Sequence, residues 1–243
     1  MSQGDTIFAA ERGREFWRGA LLAGGSTALP RWTLTPRTGV SEHDARIPDP
    51  LVTALRRLAD RMSMPLSSVL LTVHAKVLGT LSGERDVSTG YVPLKGGPPL
   101  PIRISIGPRS WRDVLREARR AELELLSHRD FPVDDLRREL GLTAPLFETV
   151  FDRATDDALP LAEGTILWVG IVEHDGLALR LRYRTDALDA ACVVRIAGYH
   201  LKALELIASD PDVEHERQSL LSADELLRTI EVTECRSRNH GCP

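Results

Sequence analysis

His128, Arg129 and Asp130 stand together in SHRDFPVDDLRRELG, an imidazole beside a carboxylate with Asp134, Asp135 and Glu139 close behind. A His–Asp neighbourhood of this kind suits general acid–base chemistry, because imidazole titrates near neutrality. A second trio, His174-Asp175-Gly176, offers the same pair of groups. Three further imidazoles, His43, His74 and His200, are the ring bases that deserve consideration, although the sequence supplies none of them with a recognisable partner. Cys235, His240 and Cys242 have the ligand chemistry for zinc but lie in a polar C-terminal stretch expected to be a frayed tail, so no metal site is predicted. Cys192, inside the apolar run AACVVRIAGYH, reads as a small packed hydrophobe. Local structure explains the first two clusters without chemistry. Pro132 lacks an amide proton and suits the first turn of a helix, with Asp130 placed to cap that turn. Asp175-Gly176 lies between two strand-like runs, as in a hairpin turn.

The elements that would hold these groups are legible from periodicity. A first helix is expected over 7–22, stopped by Gly24 and Gly25, followed by a polar, proline-bearing linker to Val40. EHDARI reads as a short strand, and Pro50 opens a helix through Met62. PLSSVLLTVHAKVLGTLSG carries Leu70, Val73, Val77, Leu78 and Leu81 at helical spacing, the mark of a core face, which makes His74 a core-edge histidine before it is a base. DVSTGYV and LPIRISI read as strands, 111–128 as a long helix, 132–141 as a short one, and LFETVF as a strand. TILWVGIV and LALRLRYRT form the hairpin, and Asp189 opens a last helix through Ile207. Strands alternating with helices, without internal repeats, predict a single α/β sandwich.

The 243 residues include 42% hydrophobic side chains, sufficient for a sizeable core. The net charge of -4, from 31 basic and 35 acidic residues, gives no footprint for nucleic acid or an anionic membrane. Without a long apolar run or an apolar leader at its start, the chain is expected in the cytoplasm. LLAGGST follows a helix instead of joining a strand to one, so it is no phosphate loop, and no Gly-x-Ser-x-Gly elbow is present.

In their order, several segments resemble the C-terminal half of a condensation domain from nonribosomal peptide synthetases, in the chloramphenicol-acetyltransferase superfamily. EFWRGALLAG is similar to the entry into that half. PLSSVLLTVHAKVLGTLSGERDVSTGYVPLKG is similar to its apolar helix, turn and Gly-bearing strand. SHRDFPVDDL matches a His-Gln-Asp-x-Pro-Phe-Glu layout and APLFETVFD the Pro-Leu-Phe strand after it. LALRLRYRTDALDAACVVRIAGYHLKALELIASDP resembles the closing strand and helix, and LLSADE the exit toward an adenylation domain. The resemblance implies a chloramphenicol-acetyltransferase-like lobe, a mixed sheet covered by helices, over 41–228, with 1–40 as N-terminal helix and linker and 229–243 as a flexible tail. It places His128 and Asp130 at a helix–turn–helix junction, away from the catalytic centre.

The family's catalytic signature, His-His-x-x-x-Asp-Gly, belongs to the other lobe, and this chain contains no His-His pair. The Gly-x-Phe-x-Asn stretch before LPIRISI is absent, Lys95 stands near a family Arg, and the segment after FETVFD is short. The resemblance therefore implies a non-catalytic interaction module in peptide biosynthesis. Its expected partners are an adenylation domain, a carrier protein, a partner lobe or a second copy, reached through the face left open by a missing twin. The alternative is a carrier-dependent acyltransferase completed by another chain or by its own residues, with His74 as the candidate base. Ser88, Thr89 and Tyr91, on the strand that borders the tunnel in complete relatives, are candidates to bind a carrier's phosphopantetheine; no tightly bound cofactor is expected. Arg112, Arg116, Arg119 and Arg120 are candidates to attract an acidic carrier, although their spacing also suits ordinary intrahelical ion pairs.

Overall fold

The run LALRLRYR buries every second side chain, as period-two alternation requires of a strand with one packed face. It forms β6 (Leu177–Arg184), the second of six strands in a computed structural model of the protein, which describes residues 3–153, 161–173, 175–222 and 225. The others are β1 (Val40–Arg46), β2 (Asp86–Val92), β3 (Leu100–Ser105), β4 (Thr149–Asp152) and β5 (Leu167–Glu173). They lie in the order β1-β6-β5-β4-β2-β3. The pairs β2–β4 and β4–β5 are parallel and the other three antiparallel, which makes the sheet mixed, as expected. Gly176, at φ +105°, turns the chain between β5 and β6. His174 lies outside the described residues, as do Cys235, His240 and Cys242.

Six helices accompany the sheet: α1 (Gln3–Leu22), α2 (Asp49–Arg61), α3 (Leu66–Ser82), α4 (Trp111–Ser127), α5 (Val133–Glu139) and α6 (Ala190–Ser209). Their ends follow from sequence. Ser110 and Asp189 cap α4 and α6 by accepting the amides of Asp113 and Cys192. Gly83, at φ +77°, ends α3 in the left-handed region. Helices α3, α4 and α6 pack on one face of the sheet, with α2 on α3 and α6. Leu71, Val77 and Leu78 of α3 are fully buried there, each side chain contributing about 1.5–3 kcal/mol by leaving water. No single helix among the described residues is long and apolar enough to cross a membrane.

The stretch before β1 is anchored along its length despite its polar composition. Trp17, Leu21 and Leu29 belong to the main core. Thr27 donates to Glu84 at 2.7 Å and accepts the Ser88 amide at 2.9 Å. Arg31 grips both oxygens of Glu148 at 2.9 and 2.7 Å, and Trp32 bridges to Leu188. That grip, joined by the Leu29 amide, holds Glu148 below the usual carboxylate range.

The other face of the sheet carries a smaller cluster of Val92, Val150 and Trp168, packed by Phe147 and Leu161. A broad apolar face awaiting a twin is not what the described residues present. Their exposed large hydrophobics, Leu22, Leu34, Val40, Leu94, Leu123 and Val194, sit on separate segments. The chain's own Phe147 packs against the Val92, Val150 and Trp168 cluster on that face.

Candidate functional site

His74 comes from α3 and His200 from α6, and packing of those helices brings together two imidazoles that the sequence left without partners. His200 Nδ1 donates to the Ile196 carbonyl at 2.8 Å, so its neutral ring leaves Nε2 as an acceptor. His74 Nδ1 lies 3.3 Å from that atom and must carry the proton between them. Beyond His74 Nε2 stands the Thr89 hydroxyl at 3.4 Å, but Thr89 donates more closely to the Thr149 carbonyl, at 2.9 Å, and accepts from the Thr149 hydroxyl at 2.9 Å. Both rings are buried. Burial, and the facing His200, drive His74 well below the ordinary imidazole range; burial pushes His200 down to about 4. The pair is neutral and enclosed, and of its four ring nitrogens only His74 Nε2 lacks a close partner. It has the ordering of a structural network and lacks the access a base needs. His43, on edge strand β1 opposite Leu181, is only partly buried and joins no cluster.

Tyr91 and Thr89 point to the helical face and Ser88 to the opposite one, because successive strand residues alternate. Ser88, Thr89 and Tyr91 therefore do not form one binding surface. The Tyr91 hydroxyl donates to Glu122 of α4 at 2.5 Å. Glu122 also accepts from Ser68 and, at 2.8 Å, from Arg119. Burial first, then the neighbouring carboxylate, raises the Tyr91 phenol. Glu122 was missed in the sequence, yet a signal existed: Trp111, Leu115, Ala118, Glu122 and Leu125 lie on one helical stripe, all buried.

The four candidate arginines of α4 are all engaged. Arg112 holds Asp212 through two bonds, at 2.6 and 2.9 Å; Arg116 holds Asp113 at 3.0 Å; Arg119 holds Glu122; Arg120 holds Glu117 at 2.7 Å and Glu124 at 3.2 Å. A carrier would have to compete with these pairs.

His128 terminates α4. Its carbonyl accepts the Trp17 indole proton at 2.9 Å and its ring stacks on Phe16 with centroids 4.6 Å apart. The junction role is met, but the cap is not: Pro132 occupies the N-cap of α5, and no side chain bonds the first turn. Asp130 lies two positions too early, its side chain 94% exposed and 3.7 Å from Arg129. Asp134 and Asp135 instead place negative charge in the first turn.

On the outer face, Gly90 explains how two of the sequence segments fit together. A Cβ there would sit 2.7–2.9 Å from the Phe147 ring, so glycine is what lets that ring lie on β2. Beside it, a cavity of about 400 Å³ opens between the end of α1, β3 and the loop 141–146, with Ser88 and Arg103 in its lining.

Comparison with known proteins matches this architecture. No family model matches the chain. Tyrocidine synthase 3 of Brevibacillus parabrevis is 25% identical over 214 residues, covering 72% of this chain and 3% of that protein. Among solved structures, the first condensation domain of the CDA synthetase superposes with TM-score 0.70 at 20% identity, over 88% of this chain and 54% of that one. The X-domain in complex with OxyB from teicoplanin biosynthesis gives TM-score 0.74 at 19% identity, over 88% and 56%. The chain has the α/β fold of a condensation-domain lobe, and its sequence relatives are peptide synthetases. It spans about half of each solved chain and a small fraction of the synthetase.

Proposed function

We propose that this chain is a non-catalytic, contact-making condensation-like module of nonribosomal peptide synthesis. It positions a partner: a carrier protein, an adenylation domain or another lobe. The observation that carries this reading is the sequestration of His74 and His200, which face each other within the core, away from solvent. Support also comes from the X-domain neighbour, whose solved complex with OxyB shows this fold engaged with another protein.

The test pairs two measurements on the chain. Incubated with an acyl-loaded carrier and an amine acceptor, it should give no condensation product above background. In pull-down and size-exclusion experiments with synthetase adenylation domains, carriers and lobes encoded beside it, it should be retained. Turnover by the isolated chain that is lost on His43→Ala or His74→Ala would overturn the proposal in favour of an acyltransferase. A monomer that retains none of these partners would overturn it as well.

A further inference from the structure

We infer that the cavity between α1 and β3 is a binding site for a small organic acid, a compact apolar body bearing one carboxylate. Its volume, about 400 Å³, falls within the range of small-molecule pockets. Leu21, Pro101, Pro145 and Leu146 supply apolar walls, and Ser88 and Arg103 supply the polar groups. Such a lining, mainly apolar with few oriented polar atoms, suits a ligand with one charged end.

Arg103 sets the sign of that charge. Its Nη1 reaches two backbone carbonyls, Gly24 at 3.3 Å and Ala23 at 3.5 Å, both long contacts. It makes no ion pair among the described residues, in contrast to the engaged arginines of α4, and its Nη2 and Nε donate to no described group. The Ser88 hydroxyl likewise has no hydrogen-bond partner among the described residues. One guanidinium with a free edge matches one carboxylate. Among the described residues no lysine and no second arginine lines the cavity, so a phosphate dianion would be left undercompensated.

The walls are held in place without a ligand. Gly24 and Gly25, both at positive φ, turn the chain at the end of α1 to form one side. Opposite, Arg137 clamps the loop through the carbonyls of Leu142, Thr143 and Ala144, at 3.0, 3.2 and 2.6 Å. A site whose walls are pinned this way loses little freedom on binding.

Binding of 4-phenylbutyrate and its neutral isostere 4-phenylbutyramide to the full chain, measured by calorimetry, tests the assignment. The acid should bind about tenfold more tightly than the amide, the value of one charge-assisted pair. Arg103→Gln should bring the two within about twofold, and Arg103→Lys should restore part of the gap. Leu146→Trp should abolish binding of both by filling the cavity; Ser88→Tyr, filling it from the sheet, does the same if Leu146→Trp fails to fold. Equal affinity for acid and amide, undiminished binding in the filled variants, or no binding of either probe at millimolar concentration would each sink the proposal.

Discussion

Beneath α3, α4 and α6, polar side chains are closed on one another: His74 on His200, Thr89 on Thr149, and Tyr91, Ser68 and Arg119 on Glu122. Across the same sheet, one residue along β2, Ser88 faces a cavity, and on neighbouring β3 Arg103 keeps part of its guanidinium unengaged. The two faces teach how one strand serves two ends. Groups on the helical face tie the three helices to the sheet and to one another. On the outer face, Ser88 and Arg103 keep donors that no described group takes up. A buried polar group must be satisfied within the protein, whereas one at a cavity mouth can be satisfied by solvent or by something that replaces it.

The sharpest way to break this contrast is at Glu122. Glu122→Ala leaves Tyr91, Ser68 and Arg119 without their acceptor and should cost about 3–5 kcal/mol, read from urea unfolding. Arg103→Gln, on the outer face, should change stability by less than about 0.5 kcal/mol in the same measurement.

Acid separates the faces next. His200 titrates at about 4 when folded against 6.5 for an ordinary histidine, so the unfolded chain binds more protons as pH falls below 6.5. The stability contributed by the neutral ring is present in full above that value and is lost progressively toward pH 4. Between pH 7 and 5 the loss from His200 alone should reach about 2 kcal/mol. His74, shifted in the same direction, adds to it. The pH dependence of unfolding should flatten in His200→Gln, and an unchanged slope would show that the pair does not control it.

Smaller effects refine the outer face. Gly90→Ala pushes against Phe147, whose ring is partly exposed and can yield, and should cost about 1 kcal/mol. Combined with Phe147→Ala, it should cost less than the sum of the two, since the clash is then gone. At the α4–α5 junction, His128→Ala should lose about 0.5–1.5 kcal/mol of stacking on Phe16. Asp130→Ala should stay within about 0.5 kcal/mol, because its carboxylate caps nothing. Thermal melts of the two variants side by side distinguish the roles.

Much of the lobe was legible beforehand, and for identifiable reasons. Alternation in LALRLRYR, helical spacing in α3, the opening of α6 at Asp189 and the stop of α1 before Gly24 and Gly25 are local properties, written in neighbouring residues and read without knowing what they touch. The anchoring of the polar stretch before β1 was not legible, because Glu148 and Glu84, which hold it, lie more than fifty residues away in the chain. Asp130 was misplaced for a related reason: its type suited a cap, but the position of the helix start decides which residue serves.

By itself, then, the sequence determined the elements, their order and the resemblance to half of a condensation domain, since each rests on period, composition and short motifs. Only the tertiary structure decided that two lone histidines meet and that Glu122 gathers three donors. Those pairings depend on how helices pack on one another and on the sheet, which juxtaposes residues up to 126 positions apart, and no local pattern names the partner.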